Sequence, residues 1–264
     1  MRETAHYLLY KSFTNFKPFF QFQFKFLPYN AIQYQEEGLN QMDLRHEWKH
    51  EISVSDMIAL RQRLQAVMKP DPHAENGSYL VRSLYFDNAA DKALREKIDG
   101  INHREKFRIR CYNNDPAFIR LEKKVKQNGL GTKFSARLSA EEVNAILRGD
   151  LHWMLQSDRP LVRELYSKMQ TLCLRPKTIV DYTREPFVYT PGNVRVTLDY
   201  DIRTGLSCTD FLDPHCITIP AANAPVILEV KWDAFLPDVI RSAVQLTDRR
   251  STAFSKYAAC RIYG

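Results

Sequence analysis

The sequence predicts an α+β protein in which helices cover a mainly antiparallel sheet of about eight strands. Several segments alternate apolar and charged residues with the two-residue period of a β-strand. Most neighbouring strand segments are separated by short turn-forming sequences, such as the Asn-Asn-Asp-Pro run at 113–116. Strands joined by short turns pair antiparallel, and segments with helical spacing lie between some of them.

The predicted strands are bounded by turn residues. A Pro/Asn/Gly-rich loop at 70–78 precedes the second strand, and a Gly-containing turn at 127–131 separates the fourth from the fifth. Residues 191–193, Pro-Gly-Asn, separate the sixth from the seventh. In chain order the strands are 44–52, 79–87, 104–112, 117–126, 132–139, 178–189, 194–203 and 224–232.

The first two helices have clear start or stop signals. Ser53 or Ser55 caps a helix that ends near Pro70. Its apolar residues are spaced by three or four and form one buried stripe, made of Met57, Leu60, Leu64 and Val67. A second, short helix at 90–100 is stopped by Gly100.

Three more helical segments follow. Ser139 and Glu142 form a capping box at the start of one helix, and helical spacing resumes at 160–173. The segment 237–260 is predicted to be helical, with a break around 247–251.

The composition is that of a globular protein with anionic partners. Hydrophobic residues make up 44% of the 264 residues and charged residues 26%, which allows a sizeable core. The net charge of +7 favours nucleic acid, phosphates or an acidic membrane surface without choosing among them. The five cysteines are scattered without a CxxC pair, and no apolar run reaches the roughly 18 residues of a membrane span. We therefore expect a cytoplasmic protein with reduced thiols and no transmembrane segment.

The first 41 residues differ from the rest of the chain. They are crowded with Phe and Tyr and have no clear periodicity or signal-peptide pattern. The codons for Glu36, Glu37 and Gly38 form a purine-rich string that resembles a ribosome-binding sequence, and Met42 follows shortly after. Residues 1–41 are therefore either a genuine N-terminal extension or translated upstream sequence. Residues 42–264 form the predicted functional domain in both cases.

On five of the strands, charged residues share one face. The segment "KFRIRCY" places Lys106, Arg108 and Arg110 on one side and Phe107 and Ile109 on the other. The other charged faces are Arg45, Glu47 and Lys49 in 44–52; Arg120, Glu122, Lys124 and Lys126 in 117–126; Arg195 and Asp199 in 194–203; and Glu229 and Lys231 in 224–232.

A charged face on one strand is normally a solvated surface, but five together favour a different arrangement. With helices covering the apolar faces from outside, the sheet can curl so that the charged faces meet around a lumen. Enclosing cations in a lumen costs free energy when no anion is paired with them, and a polyanion would neutralise them. The carboxylates among them suit a divalent metal such as Mg²⁺ or Mn²⁺ that bridges phosphates.

The order of nine short motifs resembles the VTC (vacuolar transporter chaperone) catalytic domain of polyphosphate polymerases. That domain belongs to the triphosphate tunnel metalloenzyme, or CYTH-like, superfamily. The motifs cover about 42–260 and read "RHEWKHEIS" (45–53), "SLYFDN" (83–88), "REKFRIRCY" (104–112), "LEKKVK" (121–126), "KFSARLS" (133–139), "YTREPF" (182–187), "RVTLD" (195–199), "ILEVK" (227–231) and "FSKY" (254–257). The resemblance implies an eight-stranded antiparallel β-barrel, the triphosphate tunnel, with helices packed outside.

The resemblance also implies a site inside the tunnel. Its implied catalytic residues are Lys49, Arg108, Arg110, Lys124, Arg195 and Lys256. Further substrate-binding residues are Lys133, Arg137, Arg184, Lys231 and Ser255. Glu229 is the best implied ligand for Mn²⁺ or Mg²⁺, with Glu122, Asp199 and Glu47 as helpers.

Several neighbouring residues carry weaker signals. The broader superfamily begins with an ExExK strand, whereas Arg45 replaces its first carboxylate here, which suits the VTC branch and leaves fewer metal carboxylates. Strand alternation puts His46 and His50 on the face opposite Lys49. Tyr85 and Phe86 are predicted packing residues, and Asp87 is expected to bind the start of the helix that follows.

The resemblance implies a transferase that uses ATP or another triphosphate and most readily makes polyphosphate. If water is the acceptor, the same site is an inorganic triphosphatase, and without turnover it is a polyphosphate-binding sensor. A nucleic-acid-binding barrel is a further alternative, but the basic faces lack the interleaved aromatic residues of a stacking platform. No nucleic-acid partner is therefore expected, and any membrane or transport partner is unidentified.

Overall fold

The sheet forms the centre of the structure, a computed structural model that describes residues 45–74, 76–128, 130–222, 224–246 and 251–261. The predicted boundary at residue 41 and the alternative start at Met42 lie outside these residues. The strands are β1 (His46–Ile52), β2 (Lys69–Pro70), β3 (Tyr79–Asp87), β4 (Arg104–Tyr112), β5 (Ile119–Gln127), β6 (Leu130–Leu138), β7 (Arg175–Tyr189), β8 (Val194–Thr204), β9 (Ile219–Pro220) and β10 (Val226–Trp232). The helices are α1 (Val54–Val67), α2 (Lys92–Ile98), α3 (Ala140–Arg148), α4 (Pro160–Thr171), α5 (Asp238–Ala243) and α6 (Lys256–Arg261).

Eight strands pair in the order β1-β10-β8-β7-β3-β4-β5-β6, and every pairing is antiparallel. The two-residue strands β2 and β9 pair with β7 and β8 beside this path. An ion pair of 3.9 Å joins Lys124 Nζ of β5 to Glu47 Oε2 of β1, although the two strands are far apart in the sheet order. The sheet is therefore curled, as the sequence predicts. The Lys124–Glu47 ion pair spans the gap between the two ends of the sheet. Among the described residues, no backbone hydrogen bonds pair β1 with β6.

Apolar side chains on the convex face form two layers beneath helices. Phe107 and Ile109 of β4 are fully buried with residues of β3, β5, α3 and α4. A second cluster places α1 and α5 against β1, β7, β8 and β10. The prediction that Phe107 and Ile109 pack outward beneath helices is confirmed, and the opposite, charged face of the sheet is concave. None of the helices in the described part of the chain has the length and apolar character needed to cross a bilayer.

Local signals in the sequence account for the helix starts. Ser53 Oγ accepts a hydrogen bond from Asp56 N (3.1 Å) while Asp56 Oδ2 accepts one from Ser53 N (2.9 Å), which is a capping box. The predicted capping box of Ser139 and Glu142 is also present. Each box satisfies backbone N–H groups that the first helical turn leaves without partners.

The C-terminal helical segment differs from the prediction. It consists of two short helices, α5 and α6, rather than one helix with a narrow break. Between them, Ser251 forms a β-bridge with His50, and Thr252 N donates to Lys49 O at 2.8 Å. Pairing with β1 holds this segment in an extended conformation, so the helix cannot continue through it.

Gly192 joins β7 to β8 at a position where a side chain has no room. Its φ is +72°, and a Cβ there would lie 2.4 Å from the backbone oxygen of Phe235. Gly192→Ala is expected to lower the free energy of unfolding by about 3 kcal/mol, from left-handed strain and overpacking together. Gly77, with a φ of +76° and open space around it, is the matched control, and Gly77→Ala is expected to cost only about 1 kcal/mol. Urea denaturation measures both, and equal losses would contradict the steric account.

Candidate functional site

The concave face of the sheet, called the inner face below, brings together the charged residues of the strands. Register fixes this arrangement, because Glu122 pairs with Arg108 across β4 and β5, and Lys49 pairs with Glu229 across β1 and β10. The predicted strand residues of the site all lie on this face: Glu47, Lys49, Arg108, Arg110, Glu122, Lys124, Lys133, Arg137, Arg184, Arg195, Asp199, Glu229 and Lys231. Basic residues outnumber carboxylates by about two to one, so the face is electropositive.

Arg108 and Arg110 converge on the buried carboxylate of Glu122. Arg108 donates from Nε to Glu122 Oε2 at 2.8 Å, and Arg110 Nη1 lies 3.8 Å from the same oxygen. Arg110 also donates to Ser83 Oγ and to Tyr182 Oη, at 3.0 and 3.1 Å. These bonds hold both guanidinium groups beside the same carboxylate.

The charge of Glu122 depends on these partners. Burial alone would raise its pKa, but the charges of Arg108, Arg110 and Lys133 outweigh burial and lower the pKa to about 2. The carboxylate is therefore ionised at neutral pH and serves as a counter-ion for the arginine pair.

Glu229 and Glu47 form a second carboxylate centre at β1 and β10. Glu229 Oε1 lies 3.1 Å from Lys49 Nζ, and Oε2 accepts from Lys231 Nζ at 3.0 Å. Lys49 Nζ also lies 3.1 Å from Glu47 Oε1, so one ammonium joins the two carboxylates. Burial opposes ionisation of Glu229, but the surrounding lysines hold its pKa well below the ordinary range.

Asp199 is a third, fully buried carboxylate whose two oxygens are both occupied. Arg184 donates to Oδ1 and to Oδ2, each at 2.7 Å, and Lys256 donates to Oδ2 at 2.7 Å. This contact brings α6 against the inner face, where Lys256 Nζ also lies 4.5 Å from the centroid of the Tyr182 ring. Ser255 accepts a hydrogen bond from Ala258 N at 3.4 Å, which caps the start of α6.

Two predicted arginines lie away from this centre. Arg195 is bonded to Asp71 at 2.9 Å and to Tyr79 Oη at 2.9 Å. Arg137 lies on the edge strand β6, is exposed, and donates to Ala117 O at 3.0 Å. The inner face thus has a dense centre with Arg195 and Arg137 at its margins.

Three weaker expectations from the sequence have clear outcomes. His46 and His50 lie opposite Lys49 as predicted, and His46 stacks on Trp232 with ring centroids 5.3 Å apart. Asp87 binds the start of α2 as predicted, since Oδ1 accepts from Ala93 N at 2.9 Å. Arg45 lies just before the first residue of β1. Its side chain pairs with Asp233 at 2.8 Å and so is turned away from the carboxylate centre.

Sequence reasoning missed three tyrosines of the inner face. Phe86 packs beneath the helices as predicted, but the Tyr85 hydroxyl accepts from Arg108 Nη1 at 3.0 Å. Tyr182 and Tyr79 accept from Arg110 and Arg195 in the same way. Strand alternation could have located Tyr85. It lies two residues after Ser83 and so on the same face of β3, and Ser83 accepts a hydrogen bond from Arg110. Its aromatic side chain favoured a packing role, whereas its position in the strand places it on the inner face.

The donor set near Glu229 fits a divalent cation only in part. In the described part of the chain, no group of three or more His, Cys, Asp or Glu side chains is arranged to hold a metal. Glu229 and Glu47 nevertheless provide two adjacent carboxylates, and Mg²⁺ commonly uses one or two carboxylates with waters and substrate phosphates for the rest. The assignment of all four carboxylates as metal ligands stays a prediction, and arginines donate to Glu122 and Asp199 at 2.8 and 2.7 Å.

Solved structures with a similar fold are known. An adenylyl cyclase candidate from Hippeastrum, described as having a dominant triphosphatase activity, aligns with a TM-score of 0.50 at 14% identity, over 82% of this chain and 95% of that one. An adenylate cyclase candidate from Bacillus halodurans aligns with a TM-score of 0.43 at 16% identity, over 72% of this chain and 80% of that one. The likeness to the Hippeastrum structure shows that the two proteins share a fold.

The family model of the VTC domain matches residues 44–262. The chain therefore belongs to the VTC domain family, as its motifs predict. No curated protein matches the chain in sequence.

Acid is expected to destabilise the protein partly through Glu122. Its pKa is lowered from 4.5 to about 2, so its contribution to stability is present above about pH 4.5 and is lost as the pH falls toward 2. Glu122→Gln should therefore show a smaller fall in the free energy of unfolding between pH 5 and pH 3 than the wild type does. Urea denaturation at the two pH values measures this, and parallel acid profiles would contradict the ion-pair account.

Proposed function

We propose that this protein is a metal-dependent phosphotransferase that binds triphosphate or polyphosphate in its basic tunnel and synthesises polyphosphate from a nucleoside triphosphate. The observation that carries the proposal is the convergence of basic side chains from most strands and from α6 on one concave face. Their carboxylate partners are too few to neutralise them, so the face retains positive charge for a polyanion. Membership of the VTC domain family supports the same substrate class.

The residues of the inner face suit phosphoryl transfer. This reaction needs positioned substrate and neutralised charge more than covalent chemistry from the protein. Arg108 and Arg110 present two adjacent guanidinium forks that bind phosphate oxygens bidentately, while Lys49 and Lys124 supply point charges. Glu229 and Glu47 would hold Mn²⁺ or Mg²⁺, which when bound neutralises phosphate oxygens.

The acceptor decides the reaction. A growing polyphosphate end gives polymerase activity, whereas water gives an inorganic triphosphatase, the activity described for the Hippeastrum protein of the same fold. No nucleic acid is needed in either reaction. We propose a cytoplasmic location, in keeping with five free cysteines.

Incubation of the purified chain with ATP and Mn²⁺ tests the proposal, with products resolved on a polyphosphate gel. A metal-dependent ladder is the expected result. Orthophosphate release from tripolyphosphate without a ladder would replace polymerase by triphosphatase activity, and tight polyphosphate binding without turnover would indicate a sensor. DNA binding that polyphosphate fails to displace would contradict the tunnel assignment itself.

A further inference from the structure

Lys106 differs from most of the basic residues of the inner face. Nine of them form ion pairs with carboxylates: Lys49, Arg108, Arg110, Lys124, Lys133, Arg184, Arg195, Lys231 and Lys256. Lys106 forms no ion pair within the described residues, and its Nζ instead lies over the Tyr85 ring, 5.5 Å from the centroid. A partly buried ammonium without a counter-ion is a position that an anion would stabilise.

Tyr85 places a phenol oxygen in the same cluster of cations. The side chain is buried, its ring stacks on that of Tyr257 at 4.8 Å, and its hydroxyl accepts from Arg108 at 3.0 Å. Cations on one side of a phenol favour its ionised form. An anion that neutralises those cations favours the protonated form instead.

Charged and titratable groups lie around this pair on several neighbouring elements. They include Asp87 on β3; Lys92 on α2; Arg108 and Arg110 on β4; Glu122 and Lys124 on β5; Lys49 on β1; Tyr182 on β7; and Tyr257 on α6. The two carboxylates are already bonded, Glu122 to Arg108 and Asp87 to the Tyr257 hydroxyl. The net field at the pair is therefore positive.

Both groups titrate near neutrality in consequence. Burial alone would raise the pKa of Tyr85, but the charges of Arg108, Lys106 and Arg110 lower it to about 7. Burial, followed by the charges of Arg108, Lys124 and Lys49, lowers the pKa of Lys106 to about 8 against an opposing effect of Tyr85.

We propose, resting on the proposed function, that Lys106 and Tyr85 form a proton-coupled anion subsite of the tunnel. Phosphate oxygens of the bound chain contact the Lys106 ammonium, and their negative charge draws protons from solvent onto the Tyr85 oxygen and the Lys106 nitrogen. No other bond forms or breaks. The subsite therefore binds polyanions best when both groups are protonated.

Near-ultraviolet absorbance of tyrosinate tests the coupling directly, with inorganic tripolyphosphate as the probe. The wild-type protein at pH 8 is expected to show a tyrosinate band that tripolyphosphate removes. Tyr85→Phe should lack the band. Tyr79→Phe is the matched control and should keep it, because Tyr79 also accepts from an inner-face arginine but burial raises its pKa.

Calorimetry of tripolyphosphate binding at pH 7 and pH 9 tests the role of Lys106. Between pH 7 and pH 9, the affinity of the wild type is expected to fall about tenfold more than that of Lys106→Arg. The arginine stays charged, whereas pH 9 lies one unit above the pKa of Lys106. Tripolyphosphate binding without any loss of tyrosinate, or with identical pH profiles in wild type and Lys106→Arg, overturns the subsite alone. Absence of tripolyphosphate binding overturns the proposed function as well.

Discussion

Glu229→Gln is expected to reduce metal-dependent turnover by at least about 100-fold while the protein stays folded. Glutamine keeps the shape of the side chain but removes the negative charge that a divalent cation requires at the Glu229–Glu47 centre. The fold should survive, because Lys49 keeps its contact with Glu47 at 3.1 Å and Lys231 is partly exposed to water. We expect a loss of about 1–3 kcal/mol in the free energy of unfolding.

Glu185→Gln is the matched control for this variant. Glu185 is also a buried glutamate, but it lies on the convex side of β7, where it accepts from Arg61 at 2.7 Å and from Tyr200 at 2.9 Å. Its substitution should lower stability comparably and leave turnover per folded molecule unchanged. ADP formation from ATP in the presence of Mn²⁺, normalised to the folded fraction, compares the two variants. Equal activities would remove Glu229 from the metal site.

Local sequence patterns predict the side of the sheet on which a residue lies. Alternation in "KFRIRCY" places Arg108 and Arg110 together on the inner face and Phe107 and Ile109 beneath helices, as the structure has them. The two serine capping boxes are likewise local, so sequence alone fixes where α1 and α3 begin.

Contacts between distant segments are not contained in such patterns. The occupation of Asp199 by Arg184 and Lys256 requires β7, β8 and α6 to meet, and no spacing within one segment predicts that. The pairing of Ser251 and Thr252 with β1 overrides the helical pattern of the C-terminal segment for the same reason. The sequence leaves four carboxylates as candidates for a metal site. The structure brings two of them, Glu47 and Glu229, to one centre through Lys49, and Glu229 Oε2 also lies 3.7 Å from Arg184 Nη2.

Substitution of both Arg108 and Arg110 by alanine is expected to weaken tripolyphosphate binding by about 10²–10⁴-fold. Charge-assisted hydrogen bonds contribute about 1.5–3 kcal/mol each, and every 1.4 kcal/mol is tenfold in affinity. Calorimetric titration measures the loss. Arg148→Ala, an exposed arginine at the end of α3 outside the tunnel, is the control and should bind as the wild type does.

The arginine pair also stabilises the fold through Glu122, so loss of binding must be separated from unfolding. Without the arginines, buried Glu122 keeps only Lys133, at 3.5 Å. Adding Glu122→Gln to the double variant removes this uncompensated charge and should restore stability without restoring affinity. The added substitution corrects the charge balance but returns no guanidinium group. A folded triple variant that binds tripolyphosphate with wild-type affinity would therefore exclude these arginines from the anion site. A folded triple variant that stays weak would assign the lost affinity to the forks themselves.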